Sequence, residues 1–269
     1  MRLLQRETDG KFKLVEFFGK KPPPYAILSH TWGADDEEVT LWDMMNDKAK
    51  QKSGYKKIRF CAKQAKKDGL QFFWVDSCCI DKSSSAELTE SINSMFDWYH
   101  KAAKCYAYLS DVTKYPWGWK QKFKKSRWFT RSWTLQELLA PKSVDFFSKE
   151  WKPLGNRITL LDEIGNITRI PVQALRGTPI SMFSIKERMS WAEKREAKRE
   201  EDKAYSLLGI FDVHIPLIYG EGRDNAFARL RKEIKQYSRQ FNSLNGTQMN
   251  NTGSGNQFFG SYMGPVHFG

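Results

Sequence analysis

Apolar residues recur in two different rhythms along the first half of this chain, and the rhythms alternate. Tyr25-Ala26-Ile27-Leu28-Ser29, Phe72-Phe73-Trp74-Val75, Cys105-Tyr106-Ala107-Tyr108-Leu109 and Val144-Asp145-Phe146-Phe147 are short apolar runs bounded by turn residues, the pattern of buried strands. Helical spacing falls between them. Gly54 to Lys67 places Ile58, Cys61/Ala62 and Ala65 on one face, with Gly69 as a natural stop. Ser84-x-x-Glu87 predicts a capping box opening a helix whose apolar face is Leu88, Ile92, Met95, Phe96 and Tyr99. Arg131–Leu139 reads as helical up to Pro141. Ahead of these elements, Phe12–Phe17 alternates imperfectly and Pro22-Pro23-Pro24 interrupts regular structure, so residues 1–24 read as extended. Strand and helix in alternation predict an α/β fold: a mostly parallel sheet flanked by helices. Ligands of such sheets sit beyond the carboxyl ends of the strands, which selects Ser29 to Gly33, Asp76 to Lys82 and Ser110 onward as the candidate rim.

Downstream the pattern becomes helical, over Ile158–Ile167, Ser184–Lys198, Glu201–Leu208 and Asp224–Tyr237. Beyond Tyr237 the composition shifts to Asn, Gly, Ser and Gln, with too few aliphatic residues to form a core, and disorder is expected. The organisation predicted is an α/β core over 1–155, a helical extension over 156–238 and an Asn/Gly-rich, prion-like tail over 239–269.

The net charge of +13 is concentrated in Lys48 to Lys67 and Lys114 to Arg131. A polyanion partner and a merely solvated basic face both accommodate it, but no nucleic-acid motif accompanies the lysines, so nucleic acid is not the expected partner. Met1–Glu7 turns polar too early for a secretion signal. No stretch approaches the roughly 20 apolar residues of a membrane span. A cytoplasmic protein without a transmembrane segment is expected. Cys61, Cys78, Cys79 and Cys105 lack metal-site spacing and read as buried thiols, and His100, His214 and His267 suggest no metal site.

Three long motifs go further. Tyr25 to Gly33, Trp74 to Lys82 with Glu87 to Phe96, and Arg127 to Leu138 resemble, in order, the signatures of the fungal heterokaryon-incompatibility (HET) domain. The likeness continues through Arg188-Met189-Ser190-Trp191-Ala192, Glu201 to Tyr205 and Tyr219-Gly220-Glu221-Gly222. One departure stands out: Ala197 and Lys198 occupy positions where the family usually has threonines. The resemblance implies a cell-death effector in non-self recognition, activated by self-association. It also implies remote kinship with Toll/interleukin-receptor (TIR) domains, and hence a TIR-like, flavodoxin-like sheet. Trp133-x-x-x-Glu137 resembles the TIR segment whose glutamate cleaves NAD in catalytic members.

That chemistry needs a carboxylate near the ribose, a stacking surface and donors for the diphosphate. Glu137 is the candidate catalytic carboxylate, with Trp133 one helical turn away. Arg127 or Arg131 can contact phosphate. Ser29, His30 and Trp32 can shape the pocket, and Asp76 and Asp81 can hold the ribose or pair with an arginine. Structural roles compete at each position: an exposed helical carboxylate or Arg131 partner for Glu137, a hydrogen-bonded histidine for His30, a turn cap for Asp76 and core rings for Trp128 and Trp133. A Cys79–His30 nucleophilic pair lacks an orienting third residue in the sequence. No cofactor or metal is implied; NAD enters as a substrate. In the tail, Asn245, Gly246, Gln248, Asn251, Gly253, Gly255, Asn256, Gln257 and Phe258 combine amides, glycines and an aromatic in a form suited to cross-β stacking. They loosely resemble amyloid-signalling motifs, which implies an NLR-type receptor carrying a matching motif. The alternative is a non-catalytic oligomerisation module that triggers death by recruitment.

Overall fold

The computed structural model describes residues 1–8, 10–115 and 118–249, with backbone only for 240–249. Its centre is a seven-stranded sheet built from β1 (Arg2–Arg6), β2 (Phe12–Glu16), β3 (Tyr25–His30), β4 (Phe72–Trp74), β5 (Lys104–Tyr108), β6 (Val144–Phe147) and β7 (Pro153–Asn156). The strands lie in the order β2-β1-β4-β3-β5-β6-β7. The four apolar runs form the parallel centre, β4-β3-β5-β6, with β3 buried along its whole length. The sheet is mixed rather than mostly parallel, since three of its six strand pairings are antiparallel. Two of the three come from the residues read as merely extended at the start of the chain. They fold as a hairpin whose first strand pairs with β4 through Leu4↔Phe73 and Gln5↔Phe72.

Around the sheet are α1 (Leu41–Met45), α2 (Tyr55–Lys67), α3 (Asp76–Cys79), α4 (Ser85–Lys101), α5 (Trp119–Lys124) and α6 (Thr134–Leu139). The downstream region adds α7 (Leu161–Thr168), α8 (Val172–Leu175), α9 (Ile185–Ser190), α10 (Asp202–Tyr205), α11 (Leu208–Phe211) and α12 (Gly222–Met249). Helix α2 has the predicted buried face, and Gly69 follows it with φ +74°, a left-handed conformation that glycine adopts freely. Ser84 caps α4 by accepting from the Glu87 N–H, but the capping box is not reciprocal. Glu87 turns instead to the Asp81 N–H at 2.7 Å and to an ion pair with Arg2.

The predicted helix over Ser184–Lys198 is the clearest departure, since only Ile185–Ser190 is α-helical. Glu196 leaves the helical path to form a parallel β-bridge with Arg131: the Ser132 N–H donates to the Glu196 carbonyl at 2.8 Å, and the Glu196 N–H to the Thr130 carbonyl at 2.6 Å. Tertiary pairing thus overrides local helical preference. At the chain's end, α12 runs to Met249, well past the predicted boundary at 238, so the backbone of Asn245, Gly246 and Gln248 lies in this helix. Asn251, Gly253, Gly255, Asn256, Gln257, Phe258 and His267 lie outside the described residues.

One continuous cluster of buried side chains runs from Leu3 and Leu4 through the parallel strands to Ile164, Leu175, Tyr205, Leu230 and Ile234, so the helical extension and the sheet share a core. No helix among the described residues is long and apolar enough to cross a membrane. The seam between the two regions is tight where α11 meets α4. A Cβ added at Gly209 would overlap the Phe96 ring, whereas one at Gly165, within α7, would meet its nearest neighbours only at 3.7 and 3.9 Å. Gly209→Ala is therefore expected to destabilise the fold by about 1–3 kcal/mol through overpacking. Gly165→Ala should stabilise it by about 0.5–1 kcal/mol through the lower entropy of the unfolded chain. Urea denaturation of both variants checks the pair, and equal shifts would contradict this packing.

Candidate functional site

The order of the four parallel strands reverses at β3. The chain leaves β3 for β4 on one side and then returns across it to β5 on the other. The crevice outside the carboxyl ends of these two strands is where open α/β sheets bind ligands. Successive strand residues point to opposite faces, so Ser29 and His30, the last two residues of β3, build separate clusters.

On one face, Ser29 Oγ accepts from Trp128 Nε1 at 2.8 Å and donates to Glu137 Oε2. Trp128 is held by the 3-10 turn Arg127–Thr130, whose preceding residue Ser126 donates to Asp111 Oδ1 at 2.7 Å, just beyond the end of β5. Glu137, in α6, is only 7% exposed. Burial pushes its carboxyl up to about 8; the neighbouring Asp76 adds to the rise, while the Ser29 hydrogen bond, Arg195 and Arg131 only partly offset it. At neutral pH this is mainly a carboxylic acid.

The Arg195 guanidinium, 3% exposed, lies nearby. It donates from Nη1 to the Arg131 carbonyl at 2.9 Å and to Thr134 Oγ1 at 2.8 Å, and from Nε to the Trp191 carbonyl at 3.2 Å. Its Nη2 is buried without a partner among the described residues. Burial lowers its pKa to about 10, partly countered by Glu137. Arg195 thereby fixes the turn that leads into α6 and so sets where Glu137 points.

On the other face, Lys57 of α2 approaches His30 Nδ1 at 3.0 Å. An ammonium can only donate, so Nδ1 accepts and the Nε2–H donates to Asp76 Oδ1 at 2.9 Å. Trp32 Nε1 donates to Asp76 Oδ2 at 2.8 Å, and the Lys82 ammonium lies 3.4 Å from the centre of the Trp32 ring. The Asp76 side chain stays 25% exposed. Burial opposes its ionisation, but His30, Lys82 and the Trp32 N–H together hold its carboxyl far below the usual range. Lys57 also pairs with buried Glu38, whose Oε1 accepts the Gly33 N–H at 2.7 Å. Gly54 permits this approach, since a Cβ there would sit 2.7 Å from the Glu37 carbonyl oxygen.

The structure therefore brings Ser29 to Glu137, and His30 and Trp32 to Asp76. Asp81 caps its own turn through the Ser83 N–H at 2.9 Å, and Arg127 is exposed, with its backbone N–H on Asp111. Trp133 is half-buried and donates to Asp202 Oδ2 at 3.3 Å, across from Tyr219, rather than offering a free ring beside Glu137. Cys79 does not pair with His30: its Sγ faces the Val75 N–H at 3.5 Å, and all four cysteines are buried. Sequence reasoning missed Arg195, Lys57 and Glu38, and reached Lys82 only as the end of the candidate rim. Only Lys82, inside the second motif, carried a local signal. At the family's threonine positions, Lys198 makes an exposed ion pair with Asp35, in the loop after β3.

Residues 25–116 match the family described as heterokaryon incompatibility protein (HET), and residues 235–269 match the one described as Sigma domain on NACHT-NTPases. Vegetative incompatibility protein HET-E-1 of Podospora anserina is 56% identical over 242 residues, covering 87% of this chain but 18% of its own length. The chain thus corresponds to less than a fifth of that relative. No solved structure matches.

Folded Glu137 keeps its proton up to about pH 8, whereas the unfolded chain releases it near 4.5, so this residue opposes folding increasingly between those two values and constantly above them. At about 1.4 kcal/mol for each pH unit that separates them, the full penalty is on the order of 5 kcal/mol. Glu137→Gln should therefore match the wild type in stability near pH 5 and exceed it by a few kcal/mol near pH 9. Urea denaturation across that range checks this, and a pH-independent difference would refute the buried acid.

Proposed function

The chain is a HET domain protein, similar to a vegetative incompatibility protein, and on that basis we propose that it is a cell-death effector of fungal non-self recognition, activated by self-association. We further propose a TIR-like kinship and cleavage of NAD, or a related nucleotide, at Glu137. The observation that carries the enzymatic reading is a buried carboxyl at the point where the parallel strand order reverses, beside Ser29 and within the influence of two arginines. Heterolysis of the nicotinamide–ribose bond sends the electron pair to nicotinamide and leaves an oxocarbenium-like ribose, which water then attacks. An ionised Glu137 facing that cation would stabilise it. The closed site holds the acid form, so the reaction requires either partial opening or the positive charge of the nicotinamide ring to favour the carboxylate. Self-association is a natural trigger for that change.

The second reading is a non-catalytic recruitment module. It is favoured by the closure of the crevice itself, because a residue 7% exposed offers little to a dinucleotide. Purified protein that is forcibly oligomerised and incubated with NAD should release nicotinamide, and Glu137→Gln should abolish release. No turnover of any nicotinamide dinucleotide, combined with undiminished toxicity of Glu137→Gln in cells, would sink the enzyme and leave the recruitment module.

The tail supplies the proposed trigger. Its match to a Sigma domain on NACHT-NTPases supports a link to a NACHT-type receptor, and the amide-rich composition of residues 242–269, without Lys, Arg, Asp or Glu, suits self-templated cross-β assembly. Charged substitutions at Gly253, Asn256 and Gln257 should suppress both ordered assembly and toxicity. Fibrils that still form, monitored by electron microscopy and dye binding, would rule this trigger out.

A further inference from the structure

A second cleft, of about 520 Å³, lies on the seam between the sheet region and the helical extension, and neither Glu137 nor Asp76 lines it. Its lining includes Arg157 and Lys142 from the sheet side and Arg176 and Arg188 from the helical side. None of these four cations is in an ion pair among the described residues. Arg157 is 5% exposed. Its Nη1 donates to the Leu138 carbonyl at 2.7 Å and its Nη2 to the Lys142 carbonyl at 3.2 Å, while its Nε is buried without an acceptor among the described residues. Arg188 repeats the pattern: Nη1 donates to the Ile210 carbonyl at 3.0 Å, the guanidinium lies 4.7 Å from the centre of the Phe211 ring, and Nε is again buried and unpartnered. Burial lowers the pKa of both, yet each remains a cation at neutral pH.

Of the carboxylates on the lining, Asp97 is ion-paired with Lys101 at 2.7 Å, and Asp212, which accepts from the Tyr237 hydroxyl at 3.0 Å, keeps its charge and offsets only part of the four cations. A desolvated guanidinium without a counter-charge is costly, and orphaned buried donors are rare in native proteins unless an ion or water completes them. Arg157 is such a group, Arg188 is half-buried with a buried Nε, and both share one cleft with two further cations that make no ion pair among the described residues. Its volume falls within the usual range for small-molecule sites.

We propose that this cleft is a binding site for a phosphorylated small molecule of about mononucleotide size. The phosphate contacts Lys142 and Arg176 at the mouth, with Arg157 and Arg188 beneath as the fixed positive charge. Guanidinium and ammonium groups converging from several elements suit a multiply charged tetrahedral oxyanion better than a single carboxylate. Because the cations come from both sides of the seam, the ligand would fasten the helical extension to the sheet. Stability would then rise with ligand concentration.

The test uses the full chain, titrated calorimetrically with AMP, ATP, inorganic phosphate and sulfate, alongside thermal denaturation with each. One AMP or ATP per chain is expected, bound more tightly than phosphate or sulfate and raising the melting temperature. The Lys142→Ala/Arg176→Ala double variant changes two exposed side chains, so folding should be preserved, and its affinity should fall at least about tenfold. Glu137→Gln should bind like the wild type, which separates this cleft from the crevice and from any nucleotide processed there. Three results would overturn the proposal: no binding of any of these ligands, equal binding of sulfate and nucleotide, or nucleotide affinity that is unchanged in the double variant or lost in Glu137→Gln.

Discussion

Burial of β3 on both faces, between parallel neighbours, is the constraint on which the site rests. Once Tyr25–His30 is enclosed in this way, the register Ile27↔Cys105 and Ser29↔Ala107 fixes where the strand ends. The alternation of side chains then sends its last two polar residues to different faces. Neither can reach water, so each must find partners in the protein. Ser29 finds Trp128 and Glu137; His30 finds Asp76 and Lys57. The polar network at the crevice follows from satisfying the buried end of one strand.

The two clusters settle their charge in opposite ways. Asp76 remains ionised because donors and cations converge on it from His30, Trp32 and Lys82. Glu137, with a side-chain hydrogen bond from Ser29, is tipped to the acid form by burial, and the negative charge on Asp76 reinforces this. Environments that push two neighbouring carboxyls apart in pKa are the means by which folds assign acid and anion roles. Keeping Glu137 buried opposes folding by on the order of 5 kcal/mol at high pH, comparable to the lower end of whole-domain stabilities. The surrounding core must offset that. It extends without interruption into the helical extension, whose Arg195 and Glu196 brace the approach to α6 from a distant part of the chain.

That bracing gives the helical extension a mechanical role. Residues 130–134 and 191–196 are stitched together by backbone pairs and by one buried guanidinium, so movement of the extension would be felt directly at Glu137. The basic cleft straddles the same two regions further along the seam. Both polar features of this interface therefore sit where relative motion would act on them, in keeping with a molecule proposed to change state on assembly.

The parallel centre of the sheet, the buried face of α2, the capped start of α4 and the motifs that mark the family were all legible in the linear chain, because each is written in local periodicity or in contiguous residues. Ser29, His30, Trp32 and Asp76 were legible as a rim too, since strand ends can be read from apolar runs, whereas Glu137 was singled out only through the resemblance of its motif. Which of these residues meet was not, because the Ser29–Glu137 and His30–Asp76 contacts depend on strand order and on the face each side chain takes. The antiparallel hairpin of the opening residues and the early stop of the helix after Ser184 likewise come from pairing with distant segments. Arg195 and Arg157 carry no local signal at all, and Arg188 was marked only as part of a family motif. Their importance comes from being buried without an opposing charge, and burial is a property of the packed molecule.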